Sequence, residues 1–297
     1  MKILPGILLL LVSANGFAQG TSTGETNLKF LYPARILSMA GAPIADPGNS
    51  TGSFLNPACL ASGQSFEVMF SQMQWIQDIQ SQILSASLPL PFGTAAFAIS
   101  STSVGDIPIR DIPGPPLGSF DFHSTAFQLG YGFDISPELS LGTNLKYLYD
   151  KLYIDEASGY GFDLGTLYRT PFEGLSIAAA LTNVGKMNAF KTQKTDLPTS
   201  FDLGAYFSHS MDQYEFSGAL SAGRETASGS LTELRLGGEV TYAKLLSLRI
   251  GYQTGYDIRG LSAGLGIRYS IIQIDYAYIP FSQGFGNANV ITIGAKL

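Results

Sequence analysis

Cysteine, histidine and charge are all scarce in this chain. Cys59 is the single cysteine, which excludes an intrachain disulfide and a cysteine-built metal cluster. His123 and His209 are the only histidines. They are expected at opposite ends of the strands that carry them, one at an outer strand end and one at an inner turn, so they cannot share a metal. Ser124 follows His123, but neighbours along a strand face opposite ways, so no nucleophile–base pair forms there. The sequence therefore predicts a protein that is not an enzyme, with no cofactor and no metal. Charged residues make up 13% of the 297, against about 25% in soluble domains. The net charge of −6 argues against a nucleic-acid partner. Long apolar runs are missing too: after the N-terminus no stretch reaches the roughly 18 residues that suggest a membrane helix, so any membrane crossing has to be made by strands.

What the chain does have is glycine (34 residues), aromatics (12%) and a persistent period of two. In Leu261-Ser262-Ala263-Gly264-Leu265-Gly266-Ile267-Arg268-Tyr269 the odd positions are apolar and the even ones small or charged, the pattern of a strand with one oily face and one polar face. Such segments recur at 66–74, 78–88, 93–103, 123–133, 138–149, 160–170, 174–184, 199–208, 213–223, 231–242, 245–254, 260–269, 272–279 and 289–297. About fourteen in a row, an even number, predict an all-β fold: a transmembrane antiparallel β-barrel in the outer membrane of a Gram-negative bacterium. Its outside would face lipid and lipopolysaccharide. The connections are expected to alternate between tight turns (such as 134–137, 243–244 and 270–271) and longer external loops at 105–122, 150–159, 187–198 and 280–288.

Two stretches fall outside this pattern. Residues 1–18 carry a positive start, the apolar run Ile3 to Val12 and a small-x-small site ending at Ala18, which reads as a cleaved signal peptide. Residues 19–65 are rich in Gly, Pro, Asn and Ser and are expected to plug or cap the barrel, which would occupy 66–297.

The polar faces place Lys146, Asp163, Asp202, Glu215, Glu233, Arg235, Glu239, Arg249, Arg268 and Asp275 inside, because a charge on the lipid face costs about 2–4 kcal/mol near the midplane. This inward set is either a structural charge network (Lys146, Asp163, Arg235, Glu239, Arg249, Arg268, Asp275) or a polar permeation path. Inward Gly132, Gly142, Gly165, Gly204, Gly251, Gly264 and Gly266 leave room for an inserted segment. The stretch after Val104 is the most distinctive external element. Asp106, Ile107, Ile109, Arg110, Asp111, Ile112 and Phe120 are candidates for a partner or ligand surface, or for a seal over the mouth. A basic loop follows around Lys186, Lys191 and Lys194.

Pro33-Ala34-Arg35-Ile36-Leu37-Ser38-Met39-Ala40-Gly41-Ala42, followed by Asn56-Pro57-Ala58-Cys59-Leu60, resembles the N-terminal signature of the PorV/PorQ family of outer-membrane proteins. Leu181-Thr182-Asn183-Val184-Gly185, Leu197-Pro198 and Leu248-Arg249-Ile250-Gly251-Tyr252 add to it. Ala40 stands where the family has the first of two glycines, and Cys59 where it has a glycine after Asn-Pro-Ala. The resemblance implies a FadL-like barrel with the N-terminal segment in or under the lumen. Arg35, Met39, Gly41, Asn56 and Pro57 would be the residues that anchor it. It also implies work in protein export or surface attachment alongside a type IX secretion system, with secretion components or secreted cargo as partners. The alternative is a FadL-like channel for hydrophobic small molecules, with an apolar pocket at Ile107, Ile109, Ile112 and Phe120 and a lateral opening. A plain structural barrel is the third reading.

Overall fold

The computed structural model describes residues 26–47, 50–189, 195–226 and 230–297. The expected signal peptide, Lys191 and Lys194 lie outside the described residues. The strands are β1 (Glu67–Gln74), β2 (Ile79–Leu90), β3 (Gly93–Ile109), β4 (Gly118–Asp134), β5 (Leu139–Leu152), β6 (Asp155–Arg169), β7 (Leu175–Met187), β8 (Thr195–Asp196), β9 (Ser200–Met211), β10 (Tyr214–Glu225), β11 (Thr232–Tyr242), β12 (Leu246–Gln253), β13 (Leu261–Tyr269), β14 (Ile272–Pro280) and β15 (Asn287–Lys296). Each long strand pairs antiparallel with its neighbours, β1 pairs with β15, and β6 pairs with β7, so the sheet closes on itself. β8 has only two residues and lies against the end of β7, in line with β9. Without it the fifteen strands leave fourteen, and the fold is a closed fourteen-stranded antiparallel barrel. Among the described residues, no helix is long and apolar enough to cross a membrane.

The period-two register sorts the faces all the way round. On β13, Leu261, Leu265 and Ile267 are exposed while Ser262, Gly264 and Gly266 are buried. On β5, Ser140, Gly142, Asn144, Lys146, Leu148 and Asp150 are buried. Large apolar side chains therefore cover the outside, among them Leu145, Leu164, Leu220, Leu248 and Ile293. Such a surface is soluble only in lipid. At the short-turn end, Tyr131 stacks on Phe133 and Tyr214 on Phe216, with Tyr242 beside Tyr214, as interfacial aromatics do.

Two of the expected external loops are sheet instead. Most of 105–122 belongs to the β3–β4 ladder: Ile107 pairs with Phe120 and Ile109 with Gly118, past a bulge between Val104 and Ile107 where Asp106 takes φ 55°. Asp106, Ile107, Ile109 and Phe120 are thus strand residues, and only Arg110, Asp111 and Ile112 among the candidates sit on the tip. The 150–159 stretch is likewise paired, Leu152 with Asp155, leaving Tyr153 and Ile154 to turn the chain. The bulge restores pairing beyond Val104, so the loss of clean alternation there conceals a longer strand. β3 and β4 have 17 residues each, against 8 in β12 and 9 in β13. About 9–11 suffice to cross a bilayer. One side of the wall therefore stands well above the other.

The lumen is occupied by residues 26–47 and 50–62, called the inner segment below. It forms a short helix α1 (Ala34–Ser38) and 3-10 turns at Thr26–Lys29, Ser50–Phe54 and Pro57–Ser62. α1 packs on β12–β15 and the last turn on β3–β6. Ala34, Ile36, Leu37, Met39, Cys59 and Leu60 are almost fully buried. Inward glycines mark where the segment touches the wall. A Cβ on Gly142 would overlap the Pro57 carbonyl group, and one on Gly251 would come 2.5 Å from the Ala40 nitrogen. Gly132, Gly165, Gly204 and Gly264 likewise face the segment, whereas Gly266 makes room for the Arg249 guanidinium.

Candidate functional site

Polar contacts hold the inner segment along its length, among them Lys29–Glu225, Ala34 N–Thr292 and Ser176–Ala45, and two attachments involve residues that the sequence singled out. Arg35 donates from Nε and Nη2 to the Glu239 carboxylate (3.2 and 2.9 Å) and from Nη1 to Asp46 (2.6 Å). Glu239 also accepts from Arg249 Nε, and Arg249 Nη1 reaches Asp275 Oδ1 at 2.6 Å. Arg249 is buried, so its charge is matched inside the protein rather than by water. At the second attachment Asn56 is fully buried. Its Oδ1 accepts from Ala58 N (3.0 Å), capping the Pro57–Ser62 turn, and its Nδ2 donates to the Ile44 and Thr166 carbonyls, both 3.1 Å away. Pro57 opens that turn against Gly142 and Gly165. Met39 packs with Ala178, Tyr206 and Ala219, and Gly41 turns the chain at φ 74° beside Arg235. Cys59 Sγ lies 3.4 Å from the Ile44 carbonyl, and burial pushes its thiol pKa well up, so it stays a thiol.

The inward charges form three separate clusters rather than one network. The first is Arg35–Glu239–Arg249–Asp275. Arg268 is exposed at its edge and joins it only through Gln273, whose Oε1 accepts from Arg268 (2.8 and 3.1 Å) and whose Nε2 donates to Asp275 (2.6 Å). The second is Arg235 with Asp202 (2.8 Å) and Glu233 (2.6 Å). The third is Lys146 with Asp163 (2.8 Å) and Asn183 (2.7 Å).

This third cluster sits where the wall is interrupted. Between Phe162/Val184 and Leu164/Leu181 the β6–β7 register shifts, leaving Thr182 and Asn183 opposite Asp163. Asn183 adopts φ 56°, and its N–H, displaced from the ladder, donates to Asp163 Oδ1 at 2.7 Å. Asn144 Nδ2 links Asp163 (2.9 Å) to the Ser53 carbonyl of the inner segment (3.1 Å). On the other side of β7 the ladder with β9 ends at Thr182–Ser200 and resumes only at Lys186–Asp196. Both seams of β7 are therefore broken at the same height. Thr199 Oγ1 (2.8 Å to the Asn183 carbonyl) and Leu197 N (3.3 Å to the Gly185 carbonyl) bridge the gap.

A cavity of about 990 Å³ opens at this seam. Its lining draws on both faces of the wall. Outward-facing Phe127, Leu129, Leu145, Tyr147, Tyr160 and Phe162 contribute, and so do inward-facing Gln128, Lys146, Gly161 and Leu197. A second cavity of about 480 Å³ opens at the short-turn end. It is a polar vestibule bounded by Arg35, Glu239, Arg249, Glu215, Arg268 and the small side chains Ser85, Ser87, Ala96 and Ala98. Ile107, Ile109, Ile112 and Phe120 line neither cavity. They belong to the raised hairpin, where Phe120 contacts Tyr153 and Ile112 is 75% exposed.

No family model and no curated protein matches the sequence. Solved structures do. The CymD monoaromatic hydrocarbon channel superposes with a TM-score of 0.59 at 12% identity, over 91% of this chain and 97% of its own. The Pseudomonas putida toluene transporter TodX gives 0.60 at 11% identity, over 89% and 96%. At such identities the likeness establishes the fold, that of an outer-membrane β-barrel. These neighbours are channels rather than enzymes. The PorV/PorQ resemblance rests on its motifs alone.

Sequence reasoning missed the broken seam and the vestibule. The seam did leave a signal: Asn183 followed by Val184-Gly185 offers a residue tolerant of φ > 0 inside a strand pattern. Leu181–Gly185 and Leu197-Pro198, noticed only as shared motifs, meet there. The vestibule left none that one strand could reveal, because its small residues come from different strands.

Proposed function

We propose that this protein is an outer-membrane channel for small hydrophobic molecules, which leave the barrel sideways at the β7 seam. The cavity of about 990 Å³ carries the reading, since its lining runs from lipid-facing rings to lumen-facing side chains at a point where the wall lacks continuous pairing. A solute that prefers hydrocarbon gains about 25 cal/mol per Å² of apolar surface removed from water, so a lateral apolar exit favours it over a polar axial one. The fold shared with two hydrocarbon channels supports the same reading. The test is uptake of a radiolabelled monoaromatic by cells that carry the protein in an outer membrane stripped of other channels. Uptake above the empty-vector level is expected, and Val184→Trp, which fills the seam cavity, is expected to lower it. Uptake equal to the empty vector would sink the proposal.

The raised β3–β6 wall supports a second reading, docking of an exported protein. Ile112, Leu117, Tyr153 and Ile154 are all more than half exposed at its tip, beyond the strand length a bilayer needs. Co-purification from native membranes with and without residues 110–117 tests it. An unchanged partner set would count against the hairpin.

A further inference from the structure

The two large cavities lie on opposite sides of one narrow point. The vestibule shares Phe54, Ala98 and Gln128 with a void of about 30 Å³, and that void shares Gln128 and Lys146 with the seam cavity. A volume of 30 Å³ holds about one or two waters and no aromatic ring. On β3 and β4 the void is lined by Ala98, Ser100 and Ala126, side chains too small to obstruct and fixed to paired strands, and the inner segment lines it with Leu28, Leu31, Tyr32 and Phe54, of which only Phe54 also borders the vestibule. Phe54 is the largest side chain that the inner segment adds between the void and the vestibule. It ends the Ser50–Phe54 turn, is only partly buried, and packs against the Ile36/Ile44/Leu55 and the Leu31/Met69/Ile83 groups. Gln128 approaches from β4 and borders all three spaces.

We infer that Phe54, set against Gln128, is the constriction that separates the short-turn vestibule from the seam cavity and fixes the size of what passes between them. This rests on the channel reading and deepens it: solutes enter the seam cavity freely but reach the vestibule only when the Phe54 ring swings aside. The charged attachments on β11–β14 need not break for this, because they are made by Arg35, Glu239, Arg249 and Asp275 and not by the Ser50–Phe54 turn.

Cysteine accessibility tests the constriction without reference to any substrate. Native Cys59 is buried and silent, so Ser100→Cys reports on the void and Ala96→Cys on the vestibule. Both are reacted, in the full-length protein in liposomes, with a small charged methanethiosulfonate added from the short-turn side. Ala96→Cys is expected to react quickly with or without Phe54. Ser100→Cys is expected to react slowly when Phe54 is present and at least about tenfold faster with Phe54→Ala, a barrier lowered by roughly 1.4 kcal/mol. Equal Ser100→Cys rates with and without Phe54 would overturn the assignment. So would a Ser100→Cys rate that already matches Ala96→Cys while Phe54 is in place. Phe54→Leu, which keeps the packing but shortens the reach, should give an intermediate rate if size sets the limit. If labelling behaves as expected while monoaromatic uptake is absent, the constriction stands and the channel reading falls. The reverse pattern separates them the other way.

Discussion

The two sides of the lumen meet the inner segment in opposite ways. On β11–β14 the wall is charged: Glu239 holds Arg35 and Arg249, Asp275 completes the chain, and Gly251 and Gly264 let residues 38–40 press against the strands. On β2–β4 the wall is made of Ser85, Ser87, Ala96, Ala98 and Ser100, and the segment leaves space there. The vestibule lies between the two, so its charged border and its small-residue border come from different strands. A charged lumen need not be a conducting one. Here the charges bind the segment, and the small void beside the vestibule lies against Ala98, Ser100 and Ala126.

The strongest way to break this contrast is Glu239→Ala. It would take one of two carboxylate partners from Arg35 and from the buried Arg249, leave a buried excess of positive charge, and cost about 3–5 kcal/mol. Ser100→Ala on the opposite wall should stay within about 0.5 kcal/mol. Urea unfolding followed by Trp75 fluorescence checks both, because Trp75 is the only tryptophan and stacks at 4.9 Å on Phe30 of the inner segment. Equal losses at the two sites would erase the distinction. Gly165→Ala sharpens it at the second attachment. The added methyl would overlap Asn56 Oδ1, and overpacking of this kind costs about 1–3 kcal/mol. The same substitution at Gly218, which faces open space, serves as its control. The smallest effect is expected at Ala40, which takes φ 54° at a buried position. Ala40→Gly should raise stability by about 1 kcal/mol, the strain a side chain meets in the left-handed region. No gain in the unfolding midpoint would mean that the contacts of residues 38–40 already offset that strain.

Much of the barrel was legible residue by residue. All fourteen long strands follow the period-two pattern, and the inward direction of Lys146, Asp163, Glu239, Arg249 and Asp275 follows from the cost of placing them in lipid. The heights of the strands were not legible. Beyond Val104 a bulge reverses the alternation, so paired residues up to Ile109 look like loop. Nor could the charges be grouped. That Arg235 meets Asp202, two strands away, depends on the register and inclination of the strands between them.

The sequence by itself determined a closed, fourteen-stranded wall with an oily exterior, because alternation is a local property that each strand carries alone. Only the tertiary structure decided where that wall is weak and where the lumen is open. Both depend on registers between strands distant in the chain, on where β7 loses its partners, and on which glycines the inner segment happens to cross.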